Sequence, residues 1–229
     1  MTTRLLLPIA LACLTACASG GGGLSATPHA GVNLAGDWSL DYGRSDNLQQ
    51  RVNVLLRELR EQAERRARAD MDGRGPVLAA SVGGVSDRGE AIIALARMAD
   101  KVSGSPLLNI EQASERLRIH RENDFTLRCD TGSGSAPLRR DMLGAERCGW
   151  DGHQYVHSIQ LPEGLSIHYR FTLGPAGDWL HVATSLSSRQ VSAPFTVSRV
   201  YQRFDPEAAG YHCEQTITRG KVCTTAASP

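Results

Sequence analysis

From residue 154 onward the chain repeats a two-residue alternation four times, and this limits the fold more than any other feature. Tyr155, His157, Ile159 and Leu161 fall on one side of an extended segment; Ile167, Tyr169, Phe171 and Leu173 do so on the next. Leu180, Val182, Thr184 and Leu186 follow, then Phe195, Val197, Arg199 and Tyr201. Side chains alternate between the faces of a strand, so each run reads as a strand with one buried face. Turn residues separate the runs at Asp151-Gly152, Pro162-Glu163-Gly164 and 174–178. Shorter runs precede them: Leu108-Asn109-Ile110, Leu117-Arg118-Ile119 and Phe125-Thr126-Leu127, with turns at Ala113-Ser114-Glu115 and Glu122-Asn123-Asp124. Short strands at regular spacing predict an antiparallel sandwich or barrel.

One strand stands apart from this series. Trp38, Leu40 and Tyr42 alternate with Asp37, Ser39 and Asp41. The period then changes. Leu48, Val52, Leu55, Leu56, Leu59, Ala63 and Ala67 recur at helical spacing, predicting a helix over about 46–71 with Asp46 and Gln49 as a capping box. Its other face carries Arg51, Arg57, Arg60, Arg65 and Arg68 among glutamates, a surface suited to anionic headgroups or simply to water. A shorter helix over 87–102 would bury Ile92, Leu95, Ala96 and Ala99, joined to the first by a glycine-rich connection over 73–85. The expected fold is mainly β: an antiparallel barrel domain over 32–204 with a helical insertion at about 46–102, then a C-terminal hairpin and tail over 205–229.

The N-terminus addresses the chain to a compartment. Arg4 precedes an apolar run over 5–14, which is too short to span a bilayer and reads as a secretory signal. The run ends in Leu14-Thr15-Ala16-Cys17, which resembles the lipobox of bacterial lipoproteins. That resemblance implies cleavage before Cys17, so that 1–16 is a signal peptide and Cys17 is the acylated N-terminus. With Ala18 following, it also implies delivery to the outer membrane with the domain facing the periplasm. Membrane lipid would then be the first partner, through acyl chains on Cys17. The alternative is an ordinary signal peptide cut after Ala18. Residues 17–31, with four glycines at 20–23, read as a flexible tether.

Cys129, Cys148, Cys213 and Cys223 lie beyond the leader. Four cysteines allow three connectivities, and a periplasm permits disulfides. The pairs nearest in sequence, Cys129–Cys148 and Cys213–Cys223, are the expected ones, the second across a hairpin turning near Arg219-Gly220. No C-x-x-C spacing suggests a metal.

Gly36-Asp37-Trp38 on the first strand and Arg199-Val200-Tyr201-Gln202-Arg203 on the last long one resemble lipocalin-like barrels. The wider pattern L-x-G-x-W-x-L with Ser45-Asp46, ending in R-V-Y-x-R, is similar to a group of uncharacterised proteobacterial envelope proteins. The lipocalin resemblance implies that the first and last strands meet, with Arg199 stacked over the Trp38 indole.

Basic and acidic residues number 25 and 24, a balance that argues against a nucleic-acid protein. The chain has no G-x-S-x-G elbow, no H-E-x-x-H and no G-K-[ST] phosphate loop, so no catalytic residue and no cofactor is predicted. Histidines are the remaining candidates for chemistry. A two-residue turn at Pro162-Glu163 would set His157 opposite His168, with His181 on the following strand, a zinc- or copper-like arrangement. However, the alternation turns His168 toward water, and no metal site is predicted. Of two non-catalytic functions, ligand binding is the expected one and partner binding the alternative. In one, the barrel holds a small apolar or amphipathic ligand against Trp38, Phe171 and Tyr201, which requires a cavity of several hundred cubic ångströms. In the other, the barrel is packed solid and the protein binds an envelope protein partner.

Overall fold

The computed structural model describes residues 23–28, 31–72, 81–131, 138–142, 144–189, 191, 194–206, 208, 211–216 and 220–225. The expected signal peptide and lipidated Cys17, and the expected tether up to residue 22, lie outside them. The elements in chain order are β1 (Gly36–Asp41), α1 (Leu48–Asp72), α2 (Ser81–Ser103), β2 (Leu107–Ala113), β3 (Arg116–Arg121), β4 (Leu127–Asp130), β5 (Leu138–Asp141), β6 (Gly144–Asp151), β7 (Gln154–Gln160), β8 (Ser166–Leu173), β9 (Trp179–Ser187), β10 (Phe195–Arg203), β11 (Tyr211–Thr216) and β12 (Gly220–Thr225). A 3-10 turn at Pro162–Gly164 links β7 and β8.

Ten strands form one antiparallel sheet in the order β4-β3-β2-β1-β10-β9-β8-β7-β6-β5, and the sheet curls into a half-barrel that fits the expected lipocalin-like barrel. β11 and β12 form a separate two-stranded sheet. The first strand meets the last long one as the resemblance implied: Trp38 is opposite Arg203 and Leu40 opposite Tyr201. The four alternating faces all turn inward. Ile159, Ile167, Leu186 and Phe195 lie in one row across β7 to β10, and Tyr155, Phe171, Val182 and Arg199 in another. Trp38, Tyr155, Tyr169, Phe171, Leu180 and Leu186 are among the side chains fully removed from water. Closing these apolar faces on one another is the main drive for the curl.

Several expectations are corrected. Asn47, not Asp46, caps α1, accepting a bond from the Gln50 amide at 3.1 Å. Asp46 instead accepts the Ser198 amide at 2.8 Å and fastens the start of the helix to β10. α2 begins at Ser81, so Gly83 and Gly84 are helical and not part of a connection. β5 and most of β6 were not anticipated. The helices also divide their work unequally. Ile92, Leu95, Ala96, Ala99 and Val102 of α2 are buried, and α2 packs on β9 and β10. No described residue of α1 is fully buried; Leu48, Val52 and Leu55 lie half-covered against the core, and Val54 is half exposed.

Candidate functional site

Trp38, Phe171, Arg199 and Tyr201, singled out from sequence, all belong to the barrel, but they are not one constellation. Trp38 donates its indole N–H to the Leu34 carbonyl at 3.0 Å. The guanidinium over its ring is that of Arg203, 4.4 Å from the centroid, and not that of Arg199. Register explains the correction, because Arg203 is the residue opposite Trp38 while Arg199 is opposite Val182. Arg203 also donates to the carbonyls of Ala35 at 2.9 Å and Gly177 at 2.6 Å. Gly36 makes room for it. Its φ is 131°, and a Cβ there would lie 2.6 Å from Arg203 Nη1. The Gly-x-Trp motif is thus a fitting for Arg203.

Arg199 serves the helices. It donates to the Asp46 carbonyl at 3.0 Å and to Asp100 of α2 at 3.1 Å. Tyr201 donates to the Ser105 carbonyl at 2.9 Å, just beyond α2. Its hydroxyl is held protonated by burial.

The centre of the interior is a residue the sequence reading did not single out. Arg121 of β3 is 7% exposed and donates to the Val102 carbonyl at 2.8 Å and the Tyr169 hydroxyl at 3.1 Å. It donates twice more to the Phe125 carbonyl, at 3.0 and 2.9 Å, and pairs with Asp124 at 2.8 Å. A cation at the last turn of α2 satisfies a terminal carbonyl and complements the helix dipole. Its position two residues past Ile119, in phase with Leu117, is the signal that it points inward.

Beside it lies His157, 1% exposed. Its Nδ1 is 3.1 Å from the Tyr155 hydroxyl, and its Nε2 has no hydrogen-bond partner among the described residues. Burial, and next the charge of Arg121, lower its pKa to about 4, so the ring is neutral. Burial likewise holds Tyr155 and Tyr169 protonated. The imidazoles do not converge. The turn sets His157 opposite Tyr169, not His168. His168 is outside, 2.8 Å from Ser158 Oγ, and His181 is on the outer face opposite Thr172. Ser158 and His168 form a hydroxyl–imidazole pair on an exposed sheet surface, with no carboxylate bonded to the ring among the described residues. Among the described residues no group of three His, Cys, Asp or Glu side chains could hold a metal.

Among the described residues the interior is closely packed with buried side chains. A cavity of about 10 Å³ lies between α2 and the sheet, lined by Phe171, Tyr201, Arg121, Tyr169, Ser103 and Thr184 among others. Ser103 Oγ and Thr184 Oγ1 have no partner among the described residues, and the space is that of about one water molecule. Trp38 and Arg199 do not line it. A second cavity, of about 20 Å³, lies near Ala26, Gln112, Leu117, Trp150 and Tyr155.

Cys129 and Cys148 are bonded, with Cα atoms 5.9 Å apart, linking β4 to β6 across the open side of the sheet. Cys213 and Cys223 lie opposite each other in the β11–β12 hairpin. Ser25 exchanges two backbone bonds of 2.8 Å with Trp150 of β6, so the stretch read as a tether has a docking point on the barrel. Compared with known protein families, with curated proteins and with solved structures, the chain matches none.

Proposed function

We propose that this chain is a lipoprotein anchored in the outer membrane through acylated Cys17, with its barrel in the periplasm acting as a non-catalytic interaction module for an envelope protein partner. The filled interior is the observation that carries this choice over ligand storage. Cavities of about 20 and 10 Å³ are more than tenfold smaller than the several hundred cubic ångströms of ordinary ligand sites. α2 packs over the inner face of β9 and β10, and Arg121 bonds its last turn through the Val102 carbonyl. The half-covered apolar stripe of α1 is consistent with a surface that a partner completes.

Native mass spectrometry of a Cys17→Ser protein secreted to the periplasm, together with crosslinking of the wild type in native membranes, tests this reading. A bare polypeptide mass and a reproducible crosslinked partner are expected. A defined small molecule released on denaturation would overturn it in favour of the ligand-binding barrel. The acylated wild-type protein should pellet with membranes and the Cys17→Ser protein should not.

A further inference from the structure

We infer that the outer face of the β4–β6 seam is a contact surface for anionic phospholipid headgroups, so that the barrel sits on the bilayer with this side down. The inference rests on the anchored reading above. Arg118 of β3 and Arg128 of β4 are directly opposite each other in the ladder. Like charges so placed repel, which a fold tolerates more readily where an anion neutralises them. Arg128 and Arg147 each precede a half-cystine of the Cys129–Cys148 bond, and because those cysteines are buried, both arginines face outward. Arg140 of β5 lies on the same side as Arg147 by alternation. None of these four guanidinium groups has an ion pair or hydrogen bond among the described residues. Glu111, the ladder neighbour of Arg118 on β2, makes no ion pair with it and lies 3.4 Å from His120 Nε2, and Asp130 is opposite Arg116.

Two further observations point to a membrane as the anion. Leu138 and Met142, exposed by 55% and 98%, lie on β5 and at the tip of the β5–β6 hairpin beside Arg140 and Arg147. Basic residues flanking exposed apolar ones are the composition of an interfacial surface. The anchor also leads here. Ser25 pairs with β6, and a Cβ on Gly23, on the Cys17 side of Ser25, would lie 3.7 Å from Arg147 Nη2. Ser25 is eight residues on from Cys17, a span of at most about 28 Å when extended. The arginines of α1 have no such position, and two of them are paired within the helix, Arg65 with Glu61 and Arg68 with Glu64.

The test uses the Cys17→Ser chain, so that acyl chains do not mask the surface, and co-sedimentation with vesicles of phosphatidylcholine alone or mixed with phosphatidylglycerol. Binding to the mixed vesicles only, lost at high salt, is expected. Arg118→Gln, Arg128→Gln and Arg147→Gln together should weaken it by roughly fivefold per arginine. Arg57→Gln with Arg60→Gln on α1 should leave it unchanged. Leu138→Ser with Met142→Ser should cost severalfold, and no change there would overturn the hairpin's part. Thermal melting confirms that each variant is folded. Equal binding to neutral vesicles, no binding to either, or a triple variant that binds like the parent overturns the proposal. Capture of an acidic peptide without vesicle binding would assign the patch to a protein partner instead and overturn it too. Acylation is scored separately, by the mass of wild-type protein extracted from membranes. Absence of acyl mass overturns the anchor; acylated protein with indifferent arginines overturns the patch alone.

Discussion

The barrel has two seams, and they are held by different physics. At the first, β1 and β10 meet through a continuous ladder, Trp38 is fully buried, and Arg203 covers its ring. At the second, β4 and β5 are the ends of the sheet and no ladder joins them among the described residues. There the Cys129–Cys148 bond and the paired Ser25 and Trp150 bridge the gap. The first seam is spread over several hydrogen bonds and a large apolar contact, so no single bond decides it. The second concentrates its closure in one covalent link, which an oxidising compartment makes available. It also leaves strand edges and unpaired arginines at the surface. Closure by ladder hides a seam, whereas closure by disulfide leaves a surface that can still bind something.

If the first seam depends on packing, Trp38→Ala should be the most damaging single change, costing about 3–5 kcal/mol in urea unfolding. A loss below about 1 kcal/mol would show that the ladder alone holds it.

The second seam should answer to redox. Cys129→Ser with Cys148→Ser, closing a loop of separation 19, should cost about 3 kcal/mol, and wild type under reductant should match the double variant. Urea midpoints with and without reductant decide this.

The second seam should also answer to acid, because His157 lies opposite Cys148. Its folded pKa of about 4 is below the ordinary 6.5, so the unfolded chain binds a proton that the folded one refuses. Stability from this group is complete above 6.5 and is lost as pH falls toward 4, costing about 2 kcal/mol near pH 5. His157→Leu should flatten that limb in urea unfolding series at neutral and acid pH. An unchanged slope would place the acid sensitivity elsewhere.

The smallest effect concerns the arginine over the indole. Arg203→Ala should cost about 1 kcal/mol. In a protein with Trp150→Phe and Trp179→Phe, it should shift Trp38 emission, whereas Arg199→Ala should not. A shift with Arg199→Ala alone would reverse the assignment of the stacking partner.

Legibility varied with how local the signal was. The four faces from Tyr155 to Tyr201 were readable because each strand carries its own apolar alternation. β5 and β6 were not, since Leu138-Arg139-Arg140-Asp141 and Glu146-Arg147 have no such pattern. They are strands because β7 offers an edge to β6, and β6 to β5. Asp46 and Asn47 are both good caps, and the choice between them was made by Ser198, far along the chain, whose amide takes Asp46. Arg121 was readable by phase and passed over by type, because an arginine is rarely buried unless every donor is met. Here the end of α2, Phe125, Tyr169 and Asp124 meet them.

By itself, the sequence determined the strands that carry their own alternation, which face of each turns inward and roughly where the helical insertion falls, because these follow from the period of side chains along one stretch of backbone. It also carried Leu14-Thr15-Ala16-Cys17, whose resemblance to a lipobox is the ground for the proposed compartment. Only the tertiary structure decided that α2 packs on β9 and β10, that Arg203 and not Arg199 covers Trp38, and that Arg128 and Arg147 face outward on either side of the disulfide. Those depend on register between strands distant in sequence. A shift of two residues preserves every face and changes every partner, so the alternation that announces a strand is silent about its neighbours.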